Sequence, residues 1–509
     1  MNSPQRKILK KRTRELANIS NATDLHRFHS NLLQKLEVKT VIKENHERAI
    51  EEIKYNFTKT FSKCSNMFAS VGSDALTVYD DNHFGDHVAL VCQFKNAENV
   101  DAKTKGGPLY CLSWVDAKNN SEHHEQGDAL IAVAGEDMVV SIISVSESAV
   151  VQILRGGHAK APITGLATNK NLSDAIVSLS EDEQKICAWS LKENRVVSEI
   201  TNIGIGCKTM TLLEDGSLVC GFTTGSIGKR FTNFVVAGSS YPKKKTTIDA
   251  SKNTKCYEAV DFGFSRASAK SKGGDKSTGI DCIQSFEEDV EFENTLDNKK
   301  QKKTERNNKK KDSNVKRRQI LVAKTADSKV SVVDFSSGFA SAKIESTFRV
   351  ENATSSAPTS KTNGKRTVSF GLSHDATFLA CGNGSRDGIV YVYDLNVASD
   401  GDSSSQPSLA AKLPPHERHS GTMLDVIRSC AIAKDCRHVL GTTDANDGTN
   451  RAGIMFRYEI IPEQPKEYEP PMLKNEEAAG EKVIDKENND DDDDNNNNNN
   501  NNAWLLRAA

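Results

Sequence analysis

The sequence predicts an all-β fold, a seven-bladed β-propeller, and three observations carry that expectation. From about residue 53 to 462, short apolar runs separated by polar turns recur, and each pair of runs reads as a half-buried hairpin. Seven such hairpins align on a shared strand-end position, and a fixed repeat of this kind is how a propeller appears in sequence. Nothing in the chain approaches the run of about 18 apolar residues that a membrane-spanning helix needs, so membrane architectures are not expected.

In chain order, residues 1–52 read as a basic, partly helical N-terminal extension. Leu25, Phe28, Leu32, Leu33 and Leu36 recur at helical spacing, and six of the first fourteen residues are Lys or Arg. The hairpins follow within 53–462: MFASVGSDALTVYD (67–80), DALIAVAGEDMVVSIISV (128–145), DAIVSLSEDEQKICAWSL (174–191), GSLVCGFTTGSIGKRF (216–231), QILVAKTADSKVSVVDF (319–335), FLACGNGSRDGIVYVYDL (378–395) and HVLGTTDANDGTNRAGIMFRYEI (438–460). In three of them an Asp in the turn lies six residues before the strand end: Asp137 to Ile143, Asp327 to Val333 and Asp387 to Tyr393. In WD-repeat propellers the turn Asp hydrogen-bonds within its blade and an aromatic residue, usually Trp, closes the third strand. The closing residues here are Tyr79, Ile143, Trp189, Phe231, Val333, Tyr393 and Tyr458, so only the third repeat keeps the Trp. That repeat also keeps a Gly-His pair, Gly157 and His158, although its Asp182 stands one residue too far from Trp189.

The gap from Phe231 to Val333 is 102 residues, whereas a blade needs roughly 40 to 45. An insertion at 241–317 accounts for the excess. Between Lys299 and Arg318 it carries eleven basic residues, too many charges to bury, so a disordered loop leaving the propeller is expected. Such a run serves as a bipartite nuclear import signal, lies along nucleic-acid phosphates, or is merely solvated. Residues 463–509 form an acidic and Asn-rich tail, with Asp490–Asp494 ahead of Asn495–Asn502, expected to be disordered.

Composition narrows the function classes. A hydrophobic content of 37% and a mean hydropathy of -0.54 suit a real core plus substantial polar sequence. The net charge of -2 conceals strong local imbalance. Eleven cysteines without a C-x-x-C pair read as reduced thiols of an intracellular protein, not as a disulfide framework or zinc site. Enzyme signatures are missing or isolated. The triplet Asp261-Phe262-Gly263 lacks the glycine-rich and catalytic loops that would make its Asp a magnesium ligand. His123 and His124, beside Glu122 and Glu125, lack a second ligand pair and read as a surface turn. No catalytic residue, metal or cofactor is expected, and binding is the expected activity.

Several stretches are more specific. MFASVGSDALTVYD, PLYCLSWVD (108–116), ALIAVAGEDMVVSI, GGHAKAPITGL and AIVSLSEDEQKICAWSL together resemble the first three blades of the EED, or extra sex combs, family of Polycomb proteins, in order and in spacing. VSFGLSHDATFLACGNGSRDGIVYVYDLNV (368–397), VIRSCAIAKD (426–435) and GIMFRYEI (453–460) resemble its last two blades. The resemblance is weak in blade 4 and around the insertion. It implies a nuclear, non-catalytic subunit of a Polycomb repressive complex 2-like histone H3 lysine methyltransferase. Its partners would be a SET-domain subunit, whose helical segment the propeller grips, other Polycomb subunits, and the histone H3 tail. The rival is a WD-repeat adaptor, such as a ubiquitin-ligase substrate receptor or another chromatin scaffold, without methyl-lysine recognition.

The family holds trimethyl-lysine in an aromatic cage, because a quaternary ammonium cannot donate hydrogen bonds and is held by ring faces at about 0.5 to 2 kcal/mol per contact. By resemblance, Tyr110 falls on a cage tyrosine, Phe57 or Phe61 on a cage phenylalanine, and Arg428 on an arginine beside the bound peptide. Counting back from Phe370, Arg366 and Thr367 stand where the family has adjacent Trp and Tyr, so the cage would be incomplete or completed by another ring such as Phe348.

Overall fold

The computed structural model describes residues 22–44, 50–58, 66–83, 87–98, 106–116, 128–169, 171–172, 174–223, 227–232, 234–235, 244–264, 279–290, 316–352, 369–385, 387–395, 407–415, 426–446 and 451–460. Their strands form seven sheets of four or five strands, the blades of a seven-bladed WD-type propeller. Each of the seven hairpins supplies the two middle strands of one blade. Leu130–Gly135 and Val140–Ser144, for example, are the centre of blade 2 and are buried along their whole length. Such strands are covered on both faces, which is why they read as unbroken apolar runs and not as alternation.

What holds the ring together is apolar packing between blades. The described core falls into seven clusters, and each joins one blade to the next. All seven closing residues are buried in these clusters or at their edges, from Trp189 and Tyr458 at 0% exposure to Tyr79 at 7%. Polar links repeat around the channel. The side chains of Glu52, Thr209 and Ser429 accept from the N–H groups of Leu112, Ile283 and Ile53 on the following blade at 2.8, 3.1 and 3.2 Å. They satisfy edge donors that the sheet alone would leave bare.

The boundary expected at residue 53 is corrected. The helix spans Ala22–Leu33, and Leu36 belongs to a strand, Leu36–Glu44, whose β-branched alternation overrides the helical spacing of its leucines. That strand pairs antiparallel with Arg451–Ile460 and is the outer strand of blade 7, so the N-terminal segment closes the ring. Ile50–Tyr55 is the inner strand of blade 1. The helix packs Leu32 and Leu33 against blades 6 and 7, and its His26 ring stacks on Phe378 at 5.4 Å.

The disordered insertion at 241–317 is also corrected. Thr246–Asp249 and Glu258–Asp261 are strands, and Ile280–Val290 is the inner strand of blade 5. Their apolar and β-branched residues were masked in the sequence by the lysines around them. Residues 291–315, with most of the basic run, lie outside the described residues, as do the tail 463–509, His123 and His124, Phe61, Arg366 and Thr367.

Candidate functional site

The inner strands of all seven blades line a central channel of about 370 Å³. Four of them share one irregularity. The pairing with the second strand skips a residue between Ile50 and Glu52, Leu109 and Cys111, Cys207 and Thr209, and Ile280 and Cys282. A bulge turns its extra residue out of the ladder. The extra residues, Glu51, Tyr110, Lys208 and Asp281, all line the channel at the end where the inner strands begin.

This register places the sequence-predicted site residues. Tyr110 is the bulge residue of blade 2, and its hydroxyl donates to Glu136 Oε2 at 2.8 Å. Glu136 sits in the turn of the blade 2 hairpin, so that turn fixes the ring's outer end. In blade 1 the equivalent position holds Glu51, a carboxylate. Phe57 lies six residues further along, beyond the strand end at Tyr55, which at about 3.3 Å per residue puts it roughly 20 Å away at the other mouth. There it stacks on Tyr55 at 6.4 Å and meets the His374 ring edge-on at 5.4 Å. Arg428 immediately precedes the blade 7 inner strand and is buried, its N–H donating to Thr442 O at 2.8 Å. Phe348 packs on Tyr393 at 4.9 Å in the cluster between blades 5 and 6. Tyr110 and Phe57 both line the channel but lie at opposite ends of their inner strands, and Phe61, the alternative to Phe57, lies outside the described residues.

The mouth at Tyr110 is polar and charged instead. Lys208 Nζ lies 3.3 Å from Asp281 Oδ1 on the neighbouring blade, and Glu51 and Glu136 add carboxylates. It suits a polar or cationic partner group, held by charge more than by ring faces.

Two other polar constellations are structural. In blade 3, Trp189 Nε1 donates to Ser178 Oγ at 2.8 Å, Ser178 Oγ lies 2.8 Å from His158 Nε2, and His158 Nδ1 lies 3.3 Å from Glu183 Oε2. One assignment satisfies every group: Ser178 donates to Nε2, and the Nδ1–H donates to Glu183. The order Ser, His, carboxylate is that of a hydrolase triad. Yet Ser178 is fully buried at 0% exposure and its oxygen already accepts from Trp189, so no substrate reaches it. The other Glu183 oxygen accepts from the N–H groups of Ala159, Lys160 and Ala161, tying down the loop that carries His158. Burial depresses the His158 pKa to about 4, against the pull of Glu183. Burial raises the Glu183 carboxyl, but the loop N–H groups and His158 outweigh it and leave it below its ordinary value. The carboxylate partner is thus Glu183 and not Asp182, and Glu183 keeps the six-residue spacing to Trp189 that the sequence shows elsewhere. Blade 1 repeats the device with a substitution: Glu44 Oε1 accepts from Ser70 Oγ at 2.6 Å and Tyr79 OH at 2.7 Å.

The second constellation is the seam between blades 7 and 1. Arg457, fully buried, pairs with Glu459, donates to Asp81 O at 2.8 Å, and lies 3.0 Å from His438 Nε2. His438 Nδ1 lies 2.9 Å from Asp81 Oδ2, which also accepts from Tyr55 OH, and Lys39 pairs with Glu459 from the closing strand. The described cysteines are free thiols, and burial pushes Cys187, Cys282 and Cys381 up to about 12, which keeps them protonated and unreactive.

Glu44, Glu51, Glu183 and Arg457 were missed from the sequence. Glu183 was discoverable from spacing, and Arg457 from its place inside the apolar run GIMFRYEI; nothing local marks Glu44 or Glu51. No family model matches the chain, and no curated protein matches it.

Proposed function

We propose that the protein is a non-catalytic nuclear scaffold, the regulatory subunit of a Polycomb repressive complex 2-like histone H3 lysine methyltransferase that acts in gene repression. A seven-bladed propeller fits a scaffold or adaptor role in general: it presents two rigid faces and a channel rather than a reactive group. The observation that carries the finer reading is the order of the motifs. The stretches resembling the Polycomb family fall in sequence on blades 1 to 3 and 6 to 7 of one closed ring. The partners in this reading are a SET-domain subunit, other Polycomb subunits and the H3 tail, with the basic run of 299–318 available for nucleic-acid contact.

A second reading, an adaptor without methyl-lysine recognition, is favoured by one geometric fact. Tyr110 is the only aromatic among the described bulge residues, and Phe57 faces the far mouth. One exposed ring contact is worth about 0.5 to 1 kcal/mol, a preference of no more than about fivefold. We therefore expect fluorescence anisotropy to show trimethylated and unmodified H3 peptides binding within about fivefold of each other, with Tyr110→Ala leaving that ratio nearly unchanged. A preference above tenfold that Tyr110→Ala abolishes would restore the cage and the reader function.

A further inference from the structure

Blade 3 has a fifth strand. Thr246–Asp249 lies parallel to its outer strand Arg195–Thr201, with Ser198 opposite Thr246 and Thr201 opposite Asp249. This segment of the same chain covers an edge that would otherwise expose unpaired backbone groups.

The outer strands of blades 1, 2, 3, 5 and 6 share a one-residue bulge beside the closing position, and the extra residues are Val91, Val151, Val197, Glu345 and Ala410. What becomes of that residue differs. In blade 3, Val197 is 1% exposed, in a cluster against which Ile248 of the fifth strand packs. In blade 6, Ala410 is buried in the cluster that includes Leu32 and Leu33 of the N-terminal helix. Blade 5 carries a charge there, the usual protection of a free edge. Among the described residues, blades 1 and 2 have neither device. Val91 is 38% exposed and Val151 42%, with Leu90 beside Val91 at 60%. Their outer strands, HVALVCQFK and AVVQIL, carry no charge between the end residues, whereas the edges of blades 5, 6 and 7 carry lysine or glutamate within or at the bulge.

We propose that the outer edges of blades 1 and 2 dock an extended segment of a partner protein, taken up as a fifth strand parallel to the outer strand. The register defines its chemistry. The residues equivalent to Ser198–Thr201 are Cys92–Lys95 in blade 1 and Gln152–Arg155 in blade 2. The occupant pairs its main chain opposite Gln93 and Phe94, or Ile153 and Leu154, with a β-branched stretch like the Thr246, Thr247 and Ile248 of the blade 3 fifth strand. Its last residue, the counterpart of Asp249, lies opposite Lys95 or Arg155 and is acidic. The Lys95 side chain is 73% exposed and 3.6 Å from Asp74, open to a second carboxylate. Main-chain pairing supplies affinity and the terminal acid supplies direction. The inference does not depend on the Polycomb reading.

The test is selection of a phage-displayed library of twelve-residue peptides on the intact protein. We expect enrichment of β-branched runs ending in Asp or Glu, and slowed amide exchange in 87–95 or 149–154 on binding. The surface pair Val91→Lys and Val151→Lys should leave the thermal midpoint unchanged and weaken the selected peptides at least tenfold. Lys95→Glu with Arg155→Glu should switch preference to peptides ending in Lys or Arg. No enrichment, enriched peptides that bind the variants equally, or self-association of the chain abolished by the valine substitutions, which would make the occupant a second copy, would each overturn the proposal.

Discussion

Arg457→Ala is expected to lower the unfolding free energy by about 3 to 5 kcal/mol, the cost of breaking a buried ion pair by removing one partner. Arg457 is fully buried where the last blade meets the first, and its guanidinium holds Glu459, the Asp81 carbonyl and His438 together. Truncation leaves Glu459 with Lys39 and a 3.9 Å contact to His438, and leaves Asp81 O and His438 Nε2 without the Arg457 donor in a site that admits little water. The loss falls on ring closure, because these groups join strands from opposite ends of the chain: Tyr55 and Asp81 from blade 1, His438, Arg457 and Glu459 from blade 7. Arg457→Lys keeps the charge but not the planar fork, and is expected to recover part of the loss. Urea denaturation followed by Trp fluorescence measures both. A change below 1 kcal/mol for Arg457→Ala would mean that the apolar clusters alone close the ring.

The second large effect depends on pH. In the folded protein the His158 pKa is lowered to about 4 by burial, while an unfolded imidazole titrates near its ordinary value of 6.5. Between those values the unfolded chain binds a proton that the folded chain refuses, so stability is constant above pH 6.5 and falls as the pH drops towards 4. The full loss is roughly 3 kcal/mol, from about 1.4 kcal/mol per unit of pKa difference. Glu183 extends the decline. Its carboxyl is held below the ordinary value, so stability due to its ionised form is present above pH 4.5 and is lost as pH falls through its lowered folded pKa. His158→Gln should lower stability at pH 7 and flatten the slope between pH 6.5 and 4. An unchanged slope would assign the acid sensitivity to other groups.

The repeating hairpins were legible because burial on both faces leaves each pair of central strands as an apolar run between turn residues. LIAVAG needs no tertiary information to read as a core strand. The inner strands were less legible: IDCIQSFEEDV and IEEIKY line the channel and carry polar residues among their apolar ones, so they resemble loops or helix. The closing strand LEVKTVIKE was hidden for another reason, since its partner lies more than 400 residues away and no local pattern records that pairing.

The candidate site divides the same way. Tyr110 sits one residue inside a recognisable strand, so its place on the blade 2 inner strand is readable from PLYCLSWVD. The choice between Phe57 and Phe61 rested on matching a segment by residue type, whereas position around a channel is set by strand register. Counting from the bulge, the blade 1 residue at the Tyr110 mouth is Glu51, and a sequence cannot announce a bulge before the pairing is known.

Affinity purification of the tagged full-length protein from nuclear extract, with mass spectrometry, tests the scaffold assignment most directly. The account predicts a SET-domain methyltransferase recovered in near-equal amount with the bait, along with further Polycomb subunits. Recovery of ubiquitin-ligase or other partners with no SET-domain protein among them would contradict it.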